Sequence, residues 1–88
     1  MKSETELKKV FDWKNSCKVV GFYRRSLNLT KAKLAEFLGV MPSTVGVWER
    51  GIKEPKASSL VNLAQVFGVS ETELLTELLH PSEEVKKR

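Results

Sequence analysis

The spacing of three residues between positions 31 and 50 limits the possible folds of this chain more than any other feature. Ala35, Gly39 and Val45 are the fifth, ninth and fifteenth residues of that twenty-residue segment. Two helices that cross steeply over a short turn need a small side chain at their contact, a turn residue free to take positive φ, and a branched apolar plug. The segment is therefore predicted to form two short helices joined by a tight turn.

Apolar residues at helical spacing continue along most of the chain, and no strand signal with a period of two appears. In the second predicted helix, Val20, Tyr23 and Leu27 share one stripe. The chain is therefore predicted to be all-α. The predicted helices cover residues 4–15, 18–27, 31–38 and 42–51, then the stripe from Leu60 to Phe67, and finally the segment from the cap at Ser70 to Leu79.

Capping residues set the boundaries of these helices. Thr30 is a good N-cap, Pro42 fits the first turn of a helix, and Asn28 tolerates the left-handed conformation that ends one. Ser70 and Glu73 form a capping box, in which each side chain bonds the backbone N–H of the other residue. These signals place the boundaries of the middle helices more firmly than the apolar stripes do.

The helix predicted over residues 4–15 begins at a second capping box, Ser3 with Glu6. Its aromatic residues, Phe11 and Trp13, have two alternative roles. They cap the core of the domain, or they present an apolar face to a second chain.

The positive charge of the chain is concentrated in its middle. The net charge is +4, but residues 14–56 hold nine Lys or Arg and three Glu, a local charge of +6. Residues 57–85 contain five Glu and neither Lys nor Arg. This asymmetry fits a basic half that faces a polyanion and an acidic half that supports it, although a basic surface without a partner would look the same.

Several classes of function find no support in the composition. Cys17 is the only cysteine, which excludes an internal disulfide and a cysteine-based zinc site and suits a reducing compartment. With one histidine and no phosphate-binding glycine loop, we expect no enzyme, no metal and no cofactor. Gly39, Pro42 or a charge interrupts the longest apolar runs, so we expect no membrane span and no secretory signal. A cytoplasmic protein is expected.

Four stretches of sequence resemble, in order and spacing, the Cro and phage-repressor (XRE-like) helix-turn-helix family of DNA-binding domains. They are "RRSLNLTKAKLAEFLGV", "VWERG", "EP" and "LVNLAQVFGVSETELL", and the resemblance covers roughly residues 19–79. It implies a compact five-helix repressor-like helix-turn-helix domain over residues 17–80, with an additional N-terminal helix in residues 1–16. Residues 81–88 are predicted to be a flexible charged tail, because Pro81 ends the last helix.

The resemblance also implies roles for charged residues. In the family, an Arg at the position of Arg24 and a Glu at the position of Glu49 form a partly buried structural ion pair. In the family, the start of the helix that corresponds to the one beginning at Lys31 abuts the DNA backbone, and here Lys31 and Lys33 place cations at that start. With the exposed amides there, they indicate a phosphate site. The full set of predicted phosphate-binding residues is Thr30, Lys31, Lys33, Arg50, Lys53 and Lys56.

The helix over residues 42–50 corresponds to the family's recognition helix, but its outer face has few long polar side chains. Val45 and Trp48 point inward, with Trp48 expected to fill the core. The residues predicted to face DNA bases are Ser43, Thr44, Gly46 and Val47. Family members usually carry Gln, Arg, Lys or Asn at several of these positions, so this chain departs from the pattern.

Three interpretations explain how a helix with so few long polar side chains on its outer face could still take part in binding. The hydroxyl groups and methyl groups can contact base edges and thymine methyls, with Gly46 allowing close approach. Alternatively, DNA shape supplies the specificity while phosphate contacts position the domain. In the third interpretation, another protein binds Met41, Pro42, Val47 and the surface that flanks Val45. The domain is then a protein-interaction module such as an antirepressor or an antitoxin component.

The predicted function is a sequence-specific transcriptional regulator of double-stranded DNA, with a repressor role. Leu74 and Leu75 match positions that close the family's core, and Leu78 and Leu79 repeat that pair one turn later. Because a small domain does not readily bury all four, a homodimer is expected, through these leucines or through the N-terminal helix. No separate ligand domain is evident, so no small-molecule ligand is expected.

Overall fold

Each of the longer helices directs apolar side chains into one shared core. The structure is a computed structural model that describes residues 12–86, with side chains through residue 85. None of the helices in that range is long and apolar enough to cross a bilayer. The helices are α1 (Trp13–Ser16), α2 (Lys18–Ser26), α3 (Lys31–Leu38), α4 (Pro42–Glu49), α5 (Ala57–Phe67), α6 (Glu71–Leu79) and α7 (Glu83–Lys86).

The contact between α3 and α4 is built as the spacing predicts. Ala35 and Val45 are fully buried, with relative exposures of 1% and 0%. Gly39 ends α3 in the left-handed conformation, with φ of 69°. A residue with a side chain is strained there, whereas glycine turns the chain at little cost. The all-α class and the two-helix unit are both confirmed.

Predicted capping contacts are also present. The Thr30 side chain accepts a hydrogen bond from the Lys33 backbone N–H at 3.0 Å. Ser70 and Glu73 make both bonds of the capping box. Asn28 has φ of 58°, and no other residue in the described range except glycine has a positive value. The starts of α3 and α6 and the end of α2 were therefore predictable from local side-chain chemistry.

At the N-terminus the structure differs from the prediction. Asp12 is extended, with φ of −96° and ψ of 95°, so the predicted helix over residues 4–15 does not continue through it. Residues 1–11, including the predicted capping box and Phe11, lie outside the described range. Trp13 is buried with 7% exposure, which assigns it to the core.

Two leucines predicted to point inward are on the surface instead. Leu27 is 45% exposed because α2 ends at Ser26, and the buried residues of this helix are Val19, Val20 and Gly21. Leu75 is 38% exposed, while Leu78 is buried beside Leu74. The inward stripe of α6 thus has a spacing of four residues, which the adjacent leucines did not reveal.

The segment after Pro81 is not the frayed tail that was predicted, at least over α7. Val85 has 1% exposure and belongs to the core, and α7 packs against α2. The Ser82 hydroxyl accepts a hydrogen bond from the Val85 backbone N–H at 3.4 Å, which caps this short turn. The tail prediction rested on Pro81 as the end of the last helix, and it did not include the burial of Val85 beyond that proline.

Candidate nucleic-acid interface

Helix α4 is fixed by its inner face and leaves its outer face accessible. Val45 and Trp48 are buried, with exposures of 0% and 4%, which confirms their predicted inward positions. On the other side, Ser43 is exposed, and Thr44 and Val47 are partly exposed. The outer face of α4 therefore presents two hydroxyl groups and a valine, without a long polar side chain.

Gly46 lies on α4 between these two faces. The residue itself is buried, yet a Cβ added to it would meet no atom within 4 Å. A glycine inside a helix costs roughly 1 kcal/mol relative to alanine, and packing within the described chain does not require one here. The space that a side chain would occupy at Gly46 is therefore open to another molecule.

An ion pair joins α4 to α2. Arg24 Nε donates to Glu49 Oε2 at 2.7 Å, and Arg24 Nη2 donates to Glu49 Oε1 at 3.1 Å. Arg24 Nη1 also donates to the Leu29 carbonyl oxygen at 2.9 Å. The two charged side chains are only 12% and 10% exposed, and such a bidentate pair fixes both position and angle. The structure thus brings together the two residues that the resemblance implies.

Gly21 makes room for this ion pair, a role that was not predicted. A Cβ at this position would stand 3.0 Å from Glu49 Oε1 and 2.9 Å from Arg25 Nη1. The glycine precedes Arg24 by three residues and so lies on the same face of α2. That spacing, together with a glycine inside an amphipathic helix, is the sequence signal that could have identified it.

The C-terminal end of α4 is held by α1, a second contact that was not predicted. The Trp13 indole Nε1 donates to the Trp48 carbonyl oxygen at 2.9 Å. Next to it, Cys17 Sγ lies 3.3 Å from where a Cβ on Gly51 would stand. Burial raises the pKa of the Cys17 thiol, so it is a packing group rather than a reactive one. On its other side, α1 meets the end of α6 through a hydrogen bond from Ser16 to the Leu78 carbonyl oxygen.

The start of α3 borders the start of α4. Thr30, Lys33, Val40 and Pro42 are among the residues that line a shallow groove of about 470 Å³ between the two helices. Lys31 and Lys33 are exposed at this end, and the Thr30 hydroxyl keeps a proton to donate. Thr30 and Lys33, two of the predicted phosphate-binding residues, thus lie beside the start of α4, and Lys31 is exposed between them in the first turn of α3.

Lys33 is partly engaged within the chain. Its Nζ lies 2.8 Å from Glu36 Oε2 and 5.9 Å from the centre of the Phe37 ring. The hydrogen bond and charge of Lys33 lower the pKa of the Glu36 carboxyl. Lys33 is therefore less available to an anion than Lys31, which has no ion-pair partner among the described residues.

The other predicted cations lie beyond the opposite end of α4. Arg50, Lys53 and Lys56 are exposed, and none of them pairs with an acidic residue in the described range. They do not line the groove at the start of α3. The candidate surface consequently has cations at both ends of α4 and a nearly uncharged face between them.

Two helices joined at Gly39, with the outer face of the second one accessible between cations, define a helix-turn-helix domain. A helix-turn-helix family model of the Cro/C1 type matches residues 22–74, which is more than half of the chain. The chain belongs to this family of DNA-binding domains. The α1 and α7 helices lie outside the matched residues.

Solved structures of a gene regulator and of an enzyme contain the same fold. The clp gene regulator ClgR from Corynebacterium glutamicum superposes with a TM-score of 0.67 at 25% identity, over 75% of this chain and 71% of that one. The hydroxypropylphosphonic acid epoxidase from S. wedmorenis gives 0.64 at 29% identity, over 73% of this chain and 34% of that one. Its complex with fosfomycin gives 0.63 at 30% identity, over 72% of this chain and 34% of that one. The chain thus spans about a third of the epoxidase, and no match was found among curated proteins.

Proposed function

We propose that this protein is a transcriptional regulator that binds double-stranded DNA at specific sequences and acts as a repressor. In this proposal α4 and the following residue, positions 42–50, enter the major groove. The observation that carries the proposal is the accessible outer face of α4 between two groups of exposed cations. Membership of the Cro/C1-type family and the likeness to a gene regulator support it.

Base reading is assigned to Ser43, Thr44, Gly46 and Val47. The two hydroxyl groups can donate to or accept from base edges, and the Val47 and Thr44 methyl groups can contact a thymine methyl. The open space at Gly46 supports this assignment, because a bare helix backbone allows closer approach to the groove floor. Specificity in this mode comes from close apolar fit and short hydroxyl contacts.

Phosphate binding is assigned to cations at both ends of α4. Lys31, with Thr30 and Lys33, would contact one backbone, and Arg50, Lys53 and Lys56 the other. Each neutralised phosphate releases counterions, so the logarithm of the binding constant should fall with the logarithm of salt concentration by about 0.9 per contact. The exposure of these side chains supports the assignment.

The salt dependence of binding to duplex DNA tests this assignment. We expect Lys31→Ala with Lys53→Ala to lower the slope by about 1.8 and to weaken binding to all sequences alike. Lys18→Ala is a matched control, because Lys18 lines a different groove, with Asp12, Leu79 and Pro81. An unchanged slope in the double variant would remove the phosphate assignment.

A homodimer is the proposed assembly. Leu75 and Leu79 lie one turn apart on α6 and are 38% and 41% exposed. Next to Leu75, an apolar groove of about 210 Å³ is also lined by Leu60 and Val61 of α5. A two-fold arrangement would set the recognition helices about 34 Å apart, so that they read half-sites one DNA turn apart.

Sedimentation velocity with and without DNA tests the dimer. Leu75→Ser should dissociate it, whereas Phe37→Ser should not, although Phe37 is more exposed, at 59%. Monomers of the unsubstituted protein both free and on DNA, at micromolar concentration, would contradict this assembly. Dimerisation that persists in Leu75→Ser but not after deletion of residues 1–16 would move the interface to the N-terminal segment.

One observation favours a second candidate function, binding to another protein. Met41 and Ile52 flank α4 and are each 68% exposed, and with Val47 they give this surface more apolar character than phosphate contacts need. An antirepressor or antitoxin component would use such a surface. Salt-sensitive DNA binding without any preferred sequence would favour this candidate.

A further inference from the structure

Helix α1 brings a lysine to the C-terminal end of α4. Trp13 and Cys17 are buried on either side of Lys14, with exposures of 7% and 6%, and Trp13 is hydrogen-bonded to the Trp48 carbonyl oxygen. Lys14 itself is exposed. Because its neighbours are fixed by packing, the position of the Lys14 backbone relative to α4 is fixed as well.

The lysine lies directly over Gly51. Its Cα is 3.5 Å and its Cγ 3.9 Å from where a Cβ on Gly51 would stand. The aliphatic part of the Lys14 side chain therefore starts next to the space that a side chain on Gly51 would occupy. Gly51 belongs to a turn that also contains Arg50 and Lys53. Lys14 is thus placed beside the turn that carries Arg50 and Lys53, although it is more than thirty residues away in sequence.

The nearest acidic group of α4 does not neutralise this cluster. Glu49 accepts both of its short hydrogen bonds from Arg24. Neither Lys14, Arg50 nor Lys53 has an ion-pair partner in the part of the chain that the structure describes. The exposed Asp12 and Glu54 are close to these cations in sequence but form no ion pair with them, so the three side chains can still contact a bound anion.

We propose that Lys14 is a further phosphate-binding residue of the DNA interface, presented by α1 beside Arg50 and Lys53. The proposal rests on the proposed DNA-binding function. It extends the interface to a helix outside the residues that match the family, 22–74. The contact is to the sugar–phosphate backbone, so it adds affinity and position without reading sequence.

The test is the salt dependence of binding to one duplex by Lys14→Ala, Lys14→Arg and Lys18→Ala. Lys14→Ala should lower the log-log slope by about 0.9, the loss of one phosphate contact. Lys14→Arg should keep the slope of the unsubstituted protein, since the cation remains. Lys18→Ala removes the same charge four residues away, beside Leu79 and Pro81, and should leave the slope unchanged.

Three results would overturn the proposal, and each has a different meaning. If the unsubstituted protein binds with a steep salt dependence and Lys14→Ala has the same slope, Lys14 does not contact phosphate and the proposed function stands. A slope that falls equally in Lys14→Ala and Lys18→Ala would show an effect of net charge alone. If the unsubstituted protein shows no salt-dependent binding to DNA, the proposed function fails, and this inference fails with it.

Discussion

The Glu49 carboxylate lies against the backbone of Gly21, where an added Cβ would stand 3.0 Å from Oε1 and 3.4 Å from Cδ. Arg24 holds that carboxylate with two hydrogen bonds, so it cannot move aside without losing one of them. The position of α4 on α2 therefore depends on an ion pair and on the absence of a side chain at Gly21.

Gly21→Ala should accordingly lower the free energy of unfolding, by roughly 1–3 kcal/mol, the usual cost of overpacking a close contact. The sign is opposite to the gain of up to about 1 kcal/mol that alanine gives over glycine in an unhindered helix. Urea unfolding followed by tryptophan fluorescence measures it. Gly46→Ala is the matched control, because its Cβ would meet nothing within 4 Å, and it should stabilise the protein.

The same substitution should change sign when the carboxylate is removed. In a Glu49→Ala background, itself destabilised by about 3 kcal/mol through loss of one partner of a nearly buried pair, Gly21→Ala should stabilise. The end of the exposed Arg25 side chain can move at little cost. If Gly21→Ala has the same effect in both backgrounds, contact with Glu49 is not the reason for the glycine.

Gly51 should tolerate substitution less well than Gly39. Both have a positive φ, 76° and 69°, where alanine costs about 1–2 kcal/mol. Only at Gly51 would the added methyl group also meet α1, at 3.3 Å from Cys17 Sγ. Gly51→Ala should therefore cost about 1 kcal/mol more than Gly39→Ala in urea unfolding. Equal losses would mean that α1 does not pack against this turn in solution.

The thiol of Cys17 should report on whether α1 is docked. It is 6% exposed, and burial raises its pKa, so little thiolate is present near neutral pH and what forms is shielded. Alkylation by iodoacetamide at about pH 8 should be slow in the native protein and rapid in urea. Because the folded pKa lies above the unfolded one, the contribution of the thiol to stability is lost as pH rises through the folded pKa.

Trp13→Ala should raise the alkylation rate of native Cys17, since it removes the indole that holds α1 against Trp48. Phe37→Ala provides the control, because Phe37 is a large aromatic residue on the surface of α3, and the rate should not change. Equal alkylation rates in Trp13→Ala and the unsubstituted protein would show that α1 stays in place without this contact.

Thymine methyl groups should contribute to specific binding. Replacing the contacted thymines by deoxyuridine keeps every hydrogen-bonding atom, and should weaken specific binding by up to roughly 1 kcal/mol per base. Val47→Ala should weaken binding similarly and respond no further to the base change, because both alterations remove one contact. Uracil substitution without effect across the whole site, with normal binding by Val47→Ala, would exclude methyl reading.

Gly46→Ala tests close approach on the same DNA. The added methyl group meets nothing in the protein, so a loss of affinity would come from the DNA side. We expect a protein that is more stable by up to about 1 kcal/mol and yet binds its site less tightly. Equal or tighter binding would leave the glycine without a role in approach to the groove.

The central unit of the fold could be predicted from sequence because its constraints are local. Ala35, Gly39 and Val45 serve one helix crossing, and Thr30 and Ser70 cap the helices that directly follow them. In each case the residue that gives the signal lies close in sequence to the helix that it caps or packs against. The pairing of Arg24 with Glu49 was predicted from the family resemblance, whereas only the structure shows that the pair is bidentate.

Contacts between distant residues could not be predicted in the same way. Trp13 bonds to a carbonyl oxygen thirty-five residues away, and Ser16 to one sixty-two residues away. Val85 is a single valine among charges, and only the three-dimensional arrangement leaves a site for it beside α2. Periodicity gives the apolar face of a helix, but it does not say which other helix will cover that face.

Selection of bound sequences from a random pool of duplex DNA tests the central claim, that α4 reads specific bases in the major groove. The account predicts enrichment of one palindromic site, with half-sites about 10 base pairs apart from centre to centre. The enrichment should be lost when Ser43 and Val47 are both replaced by alanine, while salt-dependent binding remains. DNA binding that weakens with salt but enriches no sequence would contradict the claim.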